Sequence, residues 1–319
     1  MIVLKDSFFV LPFFIILISV NHLVFDMNKF LSRSLIALSV ATASFNLYAN
    51  DSTQRDTSKI THVQEIRNAT IKVTYADTTF LIDPMFAKKG FYEGFPNTYR
   101  SYLRNPLVDL PIKPKTILEG VDAVIITHTH LDHWDDAAQA TIPKNMPVFV
   151  QNKQDQKTIQ SQGFKDVHVL TQTTFQGVKL TKIGGQHGTD KMYSNPELKV
   201  LLGEAMGMVF EATGHETIYV AGDTIWRPEV DQAIQKFNPD VIVLNTGNAL
   251  LSGFNESIIM GKEDTYRAVQ KAPHAKIIAV HMDAINHMSL TRAQLSEYVK
   301  NKGIQDKVLI PLDGETLSF

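Results

Sequence analysis

Residues 121–133 read Val121-Asp122-Ala123-Val124-Ile125-Ile126-Thr127-His128-Thr129-His130-Leu131-Asp132-His133, an apolar run that ends in three imidazoles and a carboxylate. The apolar part has the length and composition of a buried strand. Side chains alternate along extended chain, so His128 and His130 project the same way, and a turn after them brings Asp132 and His133 back beside them. Four metal-competent side chains thus fall within six residues at one strand end. A solvated polar loop has no reason to concentrate three imidazoles that repel one another on protonation. Imidazole and carboxylate donors suit zinc, manganese or iron, and a chain without Cys favours a hydrolytic or oxygen-handling centre over a structural zinc knot.

Outward from this stretch, short β-branched runs alternate with helical patterns. Residues 69–83 predict two strands around a turn at Ala76-Asp77. Further strands are expected at 148–151, 167–170, 178–183, 206–212, 217–223, 240–246, 276–281 and 307–311. Helices are expected over 136–142, 153–163, 228–237, 262–272 and 290–303, the last with Thr291 and Gln294 in capping-box spacing and Gly303 as its stop. Such alternation defines an α/β protein. Residues 91–111 hold aromatics and prolines without a period, as a long loop near a site does. No linker, charge run or repeat divides residues 60–319, which read as one domain after a polar tail at 50–59.

The N-terminal 49 residues differ in kind. From Met27 the chain shows two positive charges (Lys29, Arg33), an apolar core and Leu47-Tyr48-Ala49, which reads as a signal peptide over 27–49 cut after Ala49. Residues 1–26 read as an upstream extension from a misassigned start, an uncleaved membrane anchor being the alternative. Export to the periplasm or medium is expected, and a chain without Cys suits an oxidising compartment. The whole chain carries 31 basic and 33 acidic residues, so a nucleic-acid partner held by a basic surface is not expected. A hydrophobic content of 44% with 9% aromatics excludes the disordered class.

His128-Thr129-His130-Leu131-Asp132-His133 resembles the H-x-H-x-D-H signature of the metallo-β-lactamase fold hydrolases, and three later strand ends continue the likeness in order. His187 follows 178–183 within Gly184-Gly185-Gln186-His187-Gly188, Asp223 ends 217–223, and His281 ends 276–281. Glycines about His187 let the backbone approach a ligand closely. Within the superfamily the chain looks most like the branch that includes L-ascorbate-6-phosphate lactonase. The resemblance implies a four-layer αββα sandwich. It also implies two divalent ions, zinc first with manganese or iron as alternatives: one on His128, His130 and His187, the other on Asp132, His133 and His281, with Asp223 between them.

Two ions about 3.5–4 Å apart activate a water as hydroxide and polarise the bond under attack. Asp132 is then a candidate to orient the nucleophile or accept its proton, with His281 or His287 as proton donor. The expected partner is a small molecule, most simply a lactone or carboxylic ester, with a phosphodiester as alternative. A membrane is reached only through an uncleaved N-terminus, and assembly as a homo-oligomer is left open. Competing classes are a non-catalytic exported metal- or ligand-binding protein and a mononuclear iron oxygenase. Trp134, Gln186, Tyr193, Trp226, Asn248 and Met260–Asp264, including Lys262, lie beside the motifs and are candidates to shape the pocket.

Overall fold

A hairpin seeds the first sheet in the computed structural model, which describes residues 60–319. The expected extension (1–26), signal peptide (27–49) and polar tail (50–59) lie outside the described residues. Ala76 and Asp77 both take positive φ, 48° and 61°, the conformation a two-residue hairpin turn demands. They join β2 (Thr70–Tyr75) to β3 (Thr78–Ile82), with β1 (His62–Arg67) antiparallel to β2. From β3 the sheet continues in parallel through β4 (Ala123–Ile126), β5 (Val148–Val150) and β6 (Val167–Val169). The crossovers carry α1 (Pro114–Leu118), α2 (Asp136–Thr141) and α3 (Lys153–Ser161).

The second sheet opens with antiparallel β7 (Gln172–Phe175), β8 (Val178–Gly185), β9 (Ala205–Glu211) and β10 (Ile218–Val220). Two short helices, α4 (Asp190–Tyr193) and α5 (Pro196–Leu202), fill the β8–β9 connection. Beyond β10 the sheet turns parallel through β11 (Val241–Asn245), β12 (Lys276–Val280) and β13 (Val308–Leu309), linked by α6 (Pro228–Phe237), α7 (Lys262–Lys271) and α8 (Arg292–Lys302). The last strand, β14 (Thr316–Ser318), returns to pair with β1. Each sheet has seven strands.

Alternation of side chains turns these sheets into four layers. In β4, Ala123 and Ile125 face the other sheet, where Met206, Phe210, Val243 and Ile278 meet them. Val124 and Ile126 face outward onto Ile117, Ala138 and Ile159 of α1, α2 and α3. In β12, Ile278 and Val280 point inward while Ile277 and Ala279 pack with Val230, Ala268 and Leu295 of α6, α7 and α8. The arrangement is the expected αββα sandwich.

Elements absent from the expectation are β1, β7, β14, α1, α4 and α5. In β1 the alternation is masked because Glu65 and Arg67 are buried: Glu65 pairs with Arg292, and Arg67 donates to the carbonyls of Met85, Ala87 and Val108. β7 is a polar, half-exposed edge strand. The expected irregular stretch at 91–111 is confirmed as a strap without helix or regular strand, closed by a bridge between Tyr92 and Asn105.

Candidate metal centre

Every metal-competent side chain named from the sequence sits where a strand ends at the same edge of the sandwich. His128, His130, Asp132 and His133 follow β4, His187 follows β8, Asp223 follows β10 and His281 follows β12. Donor atoms of His128, His130 and His187 lie within 4.8 Å of one another, as do those of Asp132, His133 and His281, and those of His128, His133 and Asp223. Asp223 Oδ2 stands between the groups, 3.1 Å from His133 Nε2, 3.5 Å from His281 Nε2 and 3.8 Å from His187 Nε2. The structure thus brings all seven together.

Hydrogen bonds on the far side of each ring fix which nitrogen faces the centre. Thr127 gives its backbone N–H to Asp83 Oδ1 at 2.7 Å and its hydroxyl hydrogen to Asp83 Oδ2 at 2.6 Å. Its oxygen is therefore left to accept from His128 Nδ1–H at 3.1 Å. His133 Nδ1–H donates to Asp83 Oδ2 at 2.8 Å and His187 Nδ1–H to the Ile258 carbonyl at 3.0 Å. Asn68 Nδ2–H donates to the Asp132 carbonyl at 2.8 Å, so its Oδ1 accepts His281 Nδ1–H at 2.6 Å. All four present Nε2. His130 is reversed: Nε2–H donates to the Leu201 carbonyl at 3.0 Å, and Nδ1 faces inward.

The donor set fits a divalent cation. His128 Nε2 and His130 Nδ1 face each other at 3.0 Å without a hydrogen between them, an arrangement that a positive ion relieves. Burial holds His187 down to about 3 and His128 well below the usual imidazole range, with the neighbouring imidazoles His133 and His130 adding to the effect at His128. Burial also lowers His130. Burial opposes charge on Asp223, yet His133 and His281 hold its carboxyl far below the ordinary carboxylate range; Asp132 is lowered by His133, His287 and His281 against the same opposition. At His133 burial again disfavours charge, but Asp223, Asp132 and Asp83 together raise the imidazole well above its usual range. The centre therefore sets the neutral imidazoles of His128, His130 and His187 beside the ionised carboxylates of Asp132 and Asp223, and the raised His133 registers the same demand for positive charge.

Three further residues of the centre are not evident from the sequence: Asp83 and Asn68, described above, and Asn245, whose Nδ2 donates to Asp223 Oδ1 at 2.6 Å. Gly222 has φ 68°, and a Cβ there would collide with the Met206 carbonyl oxygen, so only glycine delivers Asp223 from this turn.

Above the donors lies a cavity of about 170 Å³ whose walls include Phe95, Leu131, Leu201, Leu251 and Ile258. His130, Asp132, His187 and His287 form its polar floor. His287 is buried, stands edge-on to Phe95 with ring centroids 5.2 Å apart, and has no partner at Nδ1 among the described residues; burial depresses it to about 4. The other candidates for shaping the pocket do not line this cavity. Trp134 packs on Phe164, and Trp226 stacks with Arg267 and bonds Asp231. Gln186 and Tyr193 border a separate cleft; Asn248 and Lys262 border a polar groove beside Tyr298, and Met260 is core. Glu263 and Asp264 form the first turn of α7.

A four-layer sandwich with this centre at its strand ends defines a metal-dependent hydrolase. Residues 78–282 match the beta-lactamase superfamily domain, and the chain belongs to the metallo-β-lactamase superfamily. It is 48% identical over 259 residues to the UPF0173 protein YddR of Bacillus subtilis, covering 81% of this chain and all of that one. The crystal structure of a possible metal-dependent hydrolase from Veillonella parvula is similar at 49% identity and a TM-score of 0.81, over 82% of this chain and 100% of the other. An isothiocyanate hydrolase from Delia radicum gut bacteria is similar at 47% identity and a TM-score of 0.79, over 81% and 99%.

Proposed function

We propose that this hydrolase acts on small, uncharged, apolar electrophiles, with isothiocyanates as the leading class. The observation that carries the reading is the cavity: an apolar wall over a metal-competent floor, with no Lys or Arg among the described residues that line it. A phosphodiester would find bound metal but no side-chain cation in the cavity wall to receive its second oxygen and leaving group, which ranks that alternative below an uncharged electrophile. The similarity to the isothiocyanate hydrolase supplies the concrete substrate class. Hydrolysis converts R–N=C=S and water to R–NH2 and COS: water oxygen bonds to the carbon, the carbon–nitrogen bond breaks, and both protons end on nitrogen.

His128, His130 and His187 would hold one divalent ion and Asp132, His133 and His281 a second, zinc first, which would lower the pKa of a bound water and polarise the electrophile. Asp132, ionised and buried, orients the attacking water and accepts its proton. His287, neutral at physiological pH, offers an N–H towards the departing nitrogen. Phe95, Leu251 and Ile258 hold the organic group and exclude bulk water. A lactone or ester, implied by the likeness to the lactonase branch, is the second reading, because its carbonyl carbon suits the same floor.

The test is a panel of isothiocyanate, lactone and phosphodiester substrates on zinc-loaded residues 50–319, with Asp132→Asn beside it. The variant is expected to lose about 10²–10⁴-fold in kcat while keeping its fold. Absence of isothiocyanate turnover with lactone or phosphodiester turnover present overturns the leading class; absence of all three returns the non-catalytic reading. Export is supported by the signal-like pattern of residues 27–49. Protein recovered from the periplasm is expected to begin at Asn50, and recovery with residues 27–49 attached overturns the cleavage.

A further inference from the structure

Between the apolar wall and His287 runs a hydrogen-bond hub with no role in the chemistry above. Asn286 is fully buried, and its side-chain amide uses every valence it has. Oδ1 accepts from the Phe95 backbone N–H at 3.1 Å and from Asn105 Nδ2 at 2.7 Å. Nδ2 donates to Thr98 Oγ1 and to the Tyr99 carbonyl, both at 2.8 Å. Its backbone N–H donates to Asn105 Oδ1 at 2.8 Å, and its carbonyl accepts Arg100 Nε–H at 3.1 Å. One residue thus gathers both arms of the strap at 91–111, about 190 residues away in the chain. Phe95, Pro96 and Thr98 of that strap line the cavity, and the next residue after the hub is His287.

We infer that Asn286 is a positioning residue for substrate binding: it locks the strap so that Phe95 stays packed edge-to-face on His287 and the two together form one wall of the cavity. The inference rests on the proposed function for the substrate that it positions. It makes this wall of the cavity preformed, so binding energy is not diverted into ordering the strap. Asp at this position keeps the shape but replaces both donors with a carboxylate oxygen aimed at the Tyr99 carbonyl, which breaks the lock selectively.

The experiment compares wild type with Asn286→Asp, and with the milder Thr98→Val if the first does not fold. Three quantities are read on zinc-loaded protein: hydrogen exchange of the amides of residues 95–105, metal content, and kcat and KM for benzyl isothiocyanate. The expected result is exchange about tenfold faster in the strap, KM raised about tenfold, kcat within about threefold and metal content unchanged. Faster exchange with unchanged KM overturns the inference, as does a fall in kcat with loss of metal or an unchanged strap. If wild type does not hydrolyse the isothiocyanate, the proposed function fails separately. The inference is then decided by ligand-detected NMR with benzyl alcohol as cavity probe, whose binding the variant must weaken.

Discussion

Asp83 shows how much of the centre is decided one atom beyond the donors. One carboxylate receives the Thr127 backbone N–H, the Thr127 hydroxyl and His133 Nδ1–H, so it orients His133 directly and His128 through Thr127. Asp83→Asn is expected to lower metal affinity about 10–100-fold while the protein remains folded, as measured by competition with a chromogenic chelator. Unchanged affinity would remove Asp83 from the centre. Asp83, Asn68 and His281 all sit at positive φ (49°, 66° and 66°), a conformation costly for residues other than glycine that the hydrogen bonds around the centre hold in place. The seven metal-competent side chains were legible because each closes an apolar run and four of them are crowded into one motif. Asp83 and Asn68 were not: Asp83 acquires its role only when parallel pairing sets β3 beside β4, and Asn68 only when His281 arrives from the other sheet.

Among the elements, α8 was read almost to the residue because its ends are written in local chemistry. Thr291 Oγ1 accepts the Gln294 N–H, Gln294 Oε1 accepts the Thr291 N–H, and Gly303 closes the helix at φ 67°. Thr291→Ala is expected to cost about 1 kcal/mol, visible as a lower urea midpoint at unchanged m-value. β1 was illegible for the opposite reason. Its inward charges are satisfied only by partners far along the chain, and Arg292 at the start of α8 is one of them, reaching Glu65, Asp283 and Asp313. Arg292→Ala removes the guanidinium from Glu65, whose carboxyl is pushed by burial up to about 8 even beside it, and leaves a buried polar group unpaired, an expected loss of about 1–3 kcal/mol in chemical denaturation. A loss under about 1 kcal/mol would show that water replaces the guanidinium. The short α4 and α5 escaped the sequence because one or two helical turns carry too little period to register.

At the scale of the molecule, the centre straddles the two sheets. His128, His130, Asp132 and His133 come from the first, whereas His187, Asp223 and His281 come from the second. Metal bound there ties the sheets together and stabilises only the folded state, by about 4 kcal/mol at a thousandfold excess over Kd. Stripping with a chelator is therefore expected to lower Tm while leaving one cooperative transition, because the sandwich core between the sheets does not depend on the ion. Calorimetry with and without chelator checks this, and an unchanged Tm would place the ion outside the folding equilibrium. The division of donors also imposes an order in time. The ribosome makes the His128–His133 cluster well before His187, and His281 is the last donor to emerge, so a nascent chain holds half a chelate with no partner. Full loading must follow synthesis and docking of both sheets, which makes metal acquisition a step of the finished fold.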